Sequence, residues 1–207
     1  MAVALAALAG FVDAVGFLQL GGLFVSFMSG NSTRLAASLS LGDWNLALSA
    51  LGLLVGFVLG AFLGALVAGG EGTRARIRVL ATETLLLLSA AIGATLGAPV
   101  MIPALLIVLA MGVENAAFLR NGEVGVGLTY MTGALVKLGH ALAAAVRGGD
   151  RWGFLPHLWL WAGLTCGAIL GAAAFQLIGP AALYLAAAAA AVMTGAIWWS
   201  RRRAPEA

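Results

Sequence analysis

Six stretches of this chain, residues 3–22, 45–69, 79–98, 100–119, 154–178 and 181–199, each carry at most one Asp, Glu, Lys or Arg. Each is close to the length that crosses a bilayer as an α-helix, about 20 residues. Hydrocarbon offers backbone amides no water to bond, so a single apolar segment can satisfy itself there only by closing its own helical hydrogen bonds. Hydrophobic residues are 62% of the 207, charged residues 9%, and the mean hydropathy is +1.05, which leaves nothing from which to build a soluble domain. The expected fold class is an all-α integral membrane protein, one membrane domain over 1–207. Residues 3–22 lack the charged leader of a signal peptide and read as a retained first helix. The net charge of +3 sits mostly in loops, where it reports orientation rather than nucleic-acid binding. The bilayer is the expected partner, with no nucleic acid.

Two weaker segments, 23–41 and 124–146, interrupt this pattern, and they carry one motif twice. Residues 26–36 read Ser-Phe-Met-Ser-Gly-Asn-Ser-Thr-Arg-Leu-Ala, and residues 129–139 read Thr-Tyr-Met-Thr-Gly-Ala-Leu-Val-Lys-Leu-Gly. Further matches flank the motif in order. Val12-Asp13 and Phe17-Leu18 match Val113-Glu114 and Phe118-Leu119, Gly42-Asp43 matches Gly149-Asp150, and Gly56, Gly60 and Gly64 match Gly163, Gly167 and Gly171. The offset grows only in loops, which points to a duplication with repeat one at 1–98 and repeat two at 99–207.

Charge then argues for topology. If all eight segments crossed, Arg74, Arg76 and Arg78 would face the side opposite Arg201, Arg202 and Arg203. If the weak segments enter and leave on one side, both clusters fall together with Arg120, Arg147 and Arg151, as the positive-inside tendency requires. Six transmembrane helices plus two broken or re-entrant segments, arranged as two inverted internal repeats, is therefore the expected architecture. It places both termini in the cytoplasm and the site near the midplane, where broken helices meet. Residues 23–29 are expected to enter extended and 30–41 to return as helix, with Gly30 giving the freedom to turn. A helix beginning there points its positive end into the membrane, a natural place for an anion or carboxylate. A plain spanning helix kinked at Gly30 is the competing reading.

Asp13 and Arg34 in the first half, and Glu114 and Lys137 in the second, are an acid and a base at matching places. Charges in lipid are costly, so each pair is expected to be joined or to face an aqueous cavity. The candidate substrate-binding residues are Asp13, Ser29, Gly30, Asn31, Ser32 and Arg34, with Glu114, Asn115, Thr132 and Lys137 from the second half. Glu83, five residues past Arg78, reads as an interfacial glutamate, and His140 as a packed helix histidine. No Cys/His cluster, phosphate loop or dinucleotide fingerprint occurs, so no metal, cofactor or catalytic residue is expected. Small residues four apart let helices approach closely. The glycine ladders at 52, 56, 60 and 64 and at 163, 167 and 171 are expected to pack the halves together, a homodimer interface being their alternative use.

The run Gly10-Phe11-Val12-Asp13-Ala14-Val15-Gly16-Phe17, followed by Gly21-Gly22-Leu23-Phe24 and Met28-Ser29-Gly30-Asn31, resembles the YoaK-like family of small bacterial multi-pass membrane proteins. The resemblance implies a bacterial inner-membrane protein of about six helices and carries no established substrate. Ala134 stands where the first half has Asn31, so the two sites are not equivalent. The function expected from the residues is transport of a small polar or anionic solute, with a proton as candidate coupling ion at Asp13. A channel for a small solute or ion is the alternative, and so is a non-transporting scaffold. An intramembrane hydrolase using Ser29 and His140 is the rival from enzyme chemistry.

Overall fold

A computed structural model describes residues 1–120, 123–124 and 130–203, with the side chains of 119, 120, 123 and 124 outside the description. The described chain forms eight α-helices: α1 (Ala2–Gln19), α2 (Met28–Leu41), α3 (Trp44–Ala68), α4 (Thr73–Thr95), α5 (Met101–Glu114), α6 (Met131–Val146), α7 (Leu155–Ile178) and α8 (Ala182–Arg203). A 3₁₀ turn, Asn115–Phe118, extends α5, and a two-residue antiparallel ladder follows, β1 (Leu119–Arg120) on β2 (Glu123–Val124). The expected turn at 120–123 and the entering limb of the second weak segment fall partly among 121–122 and 125–129, outside the described residues.

Five apolar helical runs are long enough to cross a bilayer, and the last, Leu155–Arg203, has 49 residues. At about 1.5 Å per residue that run far exceeds a core about 30 Å thick, so it must cross twice. Gly179, with φ of 58°, and Pro180 make the break between α7 and α8. With the 3₁₀ turn counted into α5, the described residues thus form an all-α membrane protein with six helices of crossing length and two shorter ones, α2 and α6.

The helix ends follow local chemistry. Gly42, at φ 73°, closes α2 in a left-handed conformation, and Asp43 opens α3 by accepting the Leu46 amide at 3.1 Å. Asp43→Ala is expected to cost about 1 kcal/mol of stability, read as a lowered thermal unfolding midpoint in detergent. The start of α4 lies six residues before the expected 79, because Arg74, Arg76 and Arg78 continue the helix into the polar zone. There Arg76 donates to the Ala117 carbonyl at 3.1 Å and stacks on Phe118, while Arg78 donates to the Ala68 carbonyl. At the opposite end of α4, the Thr95 and Tyr184 hydroxyls are 3.0 Å apart.

Packing is reciprocal. α1 lies along α7 and α3 along α5; α2 covers α3, α6 covers α7, and α4 packs against α5 and α8. The ladders make the two long contacts. Gly60 and Gly64 meet the backbone at Leu109 and Val113, and Gly163, Gly167 and Gly171 meet Val3, Ala7 and Phe11. These faces are therefore occupied within one chain. Leu5, Leu53, Leu80, Leu87, Ile107, Met111 and Leu183 fill the interior, while residues such as Leu59 and Phe62 face outward.

Glu83 corrects one expectation. It is fully buried rather than interfacial, because it shares the inner face of α4 with Val79, Leu80, Leu87 and Ala90.

Candidate functional site

Residues 20–41 fold back on themselves. Gly21 (φ 64°) and Gly22 (φ 104°) turn the chain after α1, and a non-helical limb, 20–27, leads to α2. Two side chains fix that limb. Asp13 Oδ1 accepts the Val25 amide at 2.9 Å and the Ser26 amide at 2.8 Å. Asn31, fully buried, accepts the Phe24 amide at 2.9 Å and donates to the Phe24 carbonyl at 2.7 Å. A limb without helical bonds has orphan amides and carbonyls, and these two side chains supply the missing partners. The segment is therefore a hairpin with one non-helical and one helical arm.

The helical arm begins at Met28, two residues before the expected Gly30, and Gly30 is a helical residue without positive φ. Its service is space. A Cβ there would stand 2.5 Å from the Phe27 ring and 2.9 Å from the Phe24 ring, and these rings continue a stack with Phe17 at centroid distances of 5.2 and 4.9 Å. Ser32 donates back to the Met28 carbonyl at 2.9 Å and Thr33 to the Ser29 carbonyl at 3.2 Å.

Neither expected ion pair forms. The Asp13 carboxylate is engaged by backbone amides, and the Arg34 guanidinium lies over Gly22, at the entrance to the hairpin. Glu114 is fully buried with no hydrogen-bond partner among the described residues, while Lys137 is exposed on α6. Asn115, also buried, donates to the Met111 carbonyl at 2.8 Å. Sequence matching placed an acid and a base at matching places in each half but could not show that the non-helical limb would claim Asp13 first.

The two motifs nevertheless come together. A cavity of about 230 Å³ is bordered by Ser26, Phe27, Met28 and Ser29 of the first motif, by Tyr130, Met131, Thr132 and Gly133 of the second, and by Phe57 of α3. Among the described residues, no charged one lines it. Both α2 and α6 begin at this cavity, and neither has a side-chain cap on its first turn. Two helix N-termini with uncapped amides, plus the hydroxyls of Ser29 and Thr132, make a polar, electropositive lining in an otherwise apolar wall. Of the expected site residues, Ser29 and Thr132 border it, whereas Asp13, Asn31 and Ser32 serve the hairpin's own backbone. Asp13 also borders a separate groove of about 300 Å³ whose other walls are apolar. Phe57 and Tyr130 were missed by motif reading, although Tyr130 stands inside the repeated motif opposite Phe27.

Over residues 1–196 the chain matches the family described as Protein of unknown function (DUF1275). It is 34% identical over 203 residues to the UPF0700 transmembrane protein RA0705 of Rhizobium meliloti (strain 1021), covering 97% of this chain and 86% of that protein. It is 32% identical over 136 residues to the UPF0700 transmembrane protein YoaK of Bacillus subtilis (strain 168), covering 63% of this chain and 60% of that one. No solved structure matches. Both relatives are named as transmembrane proteins, in keeping with the long apolar helices described above. With nearly its whole length matched, the chain belongs to the DUF1275 family of transmembrane proteins, in line with its YoaK-like motifs.

Proposed function

We propose that the chain is a secondary transporter of the inner membrane for a small polar or anionic solute, bound between the N-terminal ends of α2 and α6. The observation that carries this reading is the shared cavity: two copies of one motif, far apart in sequence, both line it. Helix N-termini recognise anionic groups through oriented amides without a neutralising side chain, so such a site can bind and release. The reciprocal packing of α1 on α7 and α5 on α3 supports two inverted repeats, an architecture in which the halves rock around a central site. With both arginine-rich ends on one side, the termini are cytoplasmic in this reading.

The test is flux in proteoliposomes over a panel of small inorganic anions, organic acids and neutral polar solutes. Ser29→Ala, Thr132→Ala and the double variant serve as controls, with folding checked by thermal unfolding. At least one solute is expected to move, and the double variant is expected to slow it at least about tenfold, the scale of two lost hydrogen bonds. Full flux in the double variant would remove the cavity from the mechanism. Silence across the panel from folded protein would defeat the transport reading.

A further inference from the structure

The cavity leaves the interior's most unusual chemistry unused. Glu83 on α4 and Glu114 at the end of α5 are both fully buried, and none of their four carboxyl oxygens has a hydrogen-bond partner among the described residues. Both lie on the contact between α4 and the end of α5. Arg76 is bonded to the Ala117 carbonyl, and from that point Glu83 lies seven residues along α4 and Glu114 three residues back along α5. Both carboxyls lie on the buried side of helices that pack directly on each other, α4 on α5.

Asn115 adds an independent observation. Its amide nitrogen is fixed on the Met111 carbonyl, while its Oδ1 is buried and also without a partner among the described residues. Five buried acceptor oxygens, from three side chains on α4, α5 and the 3₁₀ turn, which pack on one another, thus lack partners among the described residues. Among the described residues, the packed neighbours bring few basic side chains. α3, α5 and the 3₁₀ turn contain no Lys, Arg or His, and α8 has its arginines only at 201–203. On α4, Arg76 and Arg78 donate to backbone carbonyls and Arg74, in the first turn, has a partner of its own, while α1 contributes only another acid, Asp13. None of the described arginine side chains hydrogen-bonds either glutamate.

Buried carboxylates without a cation or a proton are too costly to persist, and natural proteins seldom leave such groups unsatisfied. All-oxygen donor sets select hard cations such as Na⁺, Mg²⁺ or Ca²⁺ over softer metals. We infer that Glu83, Glu114 and Asn115 form a buried site for a small hard cation, taken up in exchange for protons. A monovalent ion displaces one proton and a divalent ion two, so the net charge of the pair stays near zero in either state. Neither glutamate borders the solute cavity, so the inference stands apart from the transport reading.

The test uses the purified full chain in detergent, its thermal unfolding followed as choline chloride is replaced by NaCl, LiCl or KCl at constant ionic strength. Parallel titrations use MgCl₂ and CaCl₂, each at mildly acid and mildly alkaline pH. One of these ions is expected to raise the midpoint saturably, and to need less salt at alkaline pH, where fewer protons compete. The arm that responds identifies the ion. Glu83→Gln and Glu114→Gln keep side-chain volume and are each expected to abolish the shift. Asn115→Ala is expected to raise the required concentration about tenfold or more, the order seen when a supporting group is lost at an ion site. No shift with any ion at either pH would overturn the site, and so would a shift that survives both Gln variants. Should a Gln variant fail to fold, the infrared difference spectrum of the wild-type chain decides. Loss of protonated-carboxyl absorption on adding the ion supports the exchange, and an unchanged band overturns it.

Discussion

Alanine at Gly167 or at Gly60 is expected to destabilise the chain severely, while alanine at Gly52 leaves it unchanged or slightly firmer. A Cβ on Gly167 would overlap the Ala7 carbonyl oxygen and stand 2.6 Å from its carbon and 2.8 Å from Ala7 Cα. On Gly60 it would overlap the Leu109 carbonyl oxygen and stand 2.9 Å from Leu109 Cα. These neighbours are backbone and cannot step aside, so the helices themselves must part. Overpacking of this kind costs about 1–3 kcal/mol, and parted helices lose further contacts that the bilayer does not restore. Gly52 lies in the same helix as Gly60 with nothing within 4 Å of its Cβ position. There the change acts on helix propensity alone, worth up to about 1 kcal/mol in favour of alanine. Thermal unfolding of the three variants in one detergent checks the contrast. Equal midpoints would show that close approach at the ladders contributes nothing.

The same ladders show what the sequence can disclose. Glycines four apart on an apolar helix announce a close contact, and their recurrence in both halves was enough to expect the halves to meet there. The apolar runs disclosed the long helices for a similar reason, since lipid leaves the backbone few options. The hidden part lies in partners that have no letter of their own. Asp13 could be matched to Arg34 by charge and depth, yet its actual donors are the amides of Val25 and Ser26, present in every residue and free only because the limb is not helical. Asn31 was assigned to a solute for its polarity and is instead bonded to Phe24. Glu83 was judged by its distance from Arg78 along the chain. Its helix face, shared with Val79 and Leu87, carried the better signal and would have placed it inside.

Asp13→Ala is expected to release the limb that shapes the cavity, whereas Asp13→Asn is expected to keep it. One oxygen, Oδ1, accepts both amides, and the residues that donate them, Val25 and Ser26, are 0% and 5% exposed. Alanine leaves two donors without a partner where water hardly reaches, at about 1–3 kcal/mol for each. Asparagine offers a carbonyl oxygen in the same place. It gives up the charge, which makes an acceptor roughly twice as strong, but it keeps both bonds. Because Ser26 borders the cavity and Phe24 is tied to Asn31, loosening at 25 and 26 spreads to the start of α2. Hydrogen exchange over 24–27, read with the thermal midpoint, separates the variants. The alanine protein should exchange fast there and unfold early, and the asparagine protein should resemble the wild type on both counts. Slow exchange and an unchanged midpoint in Asp13→Ala would show that the limb does not depend on this carboxylate. With the fold of Asp13→Asn intact, its flux then reports on the charge alone. Retained flux makes Asp13 a clamp, and lost flux gives the charge a part in moving the solute.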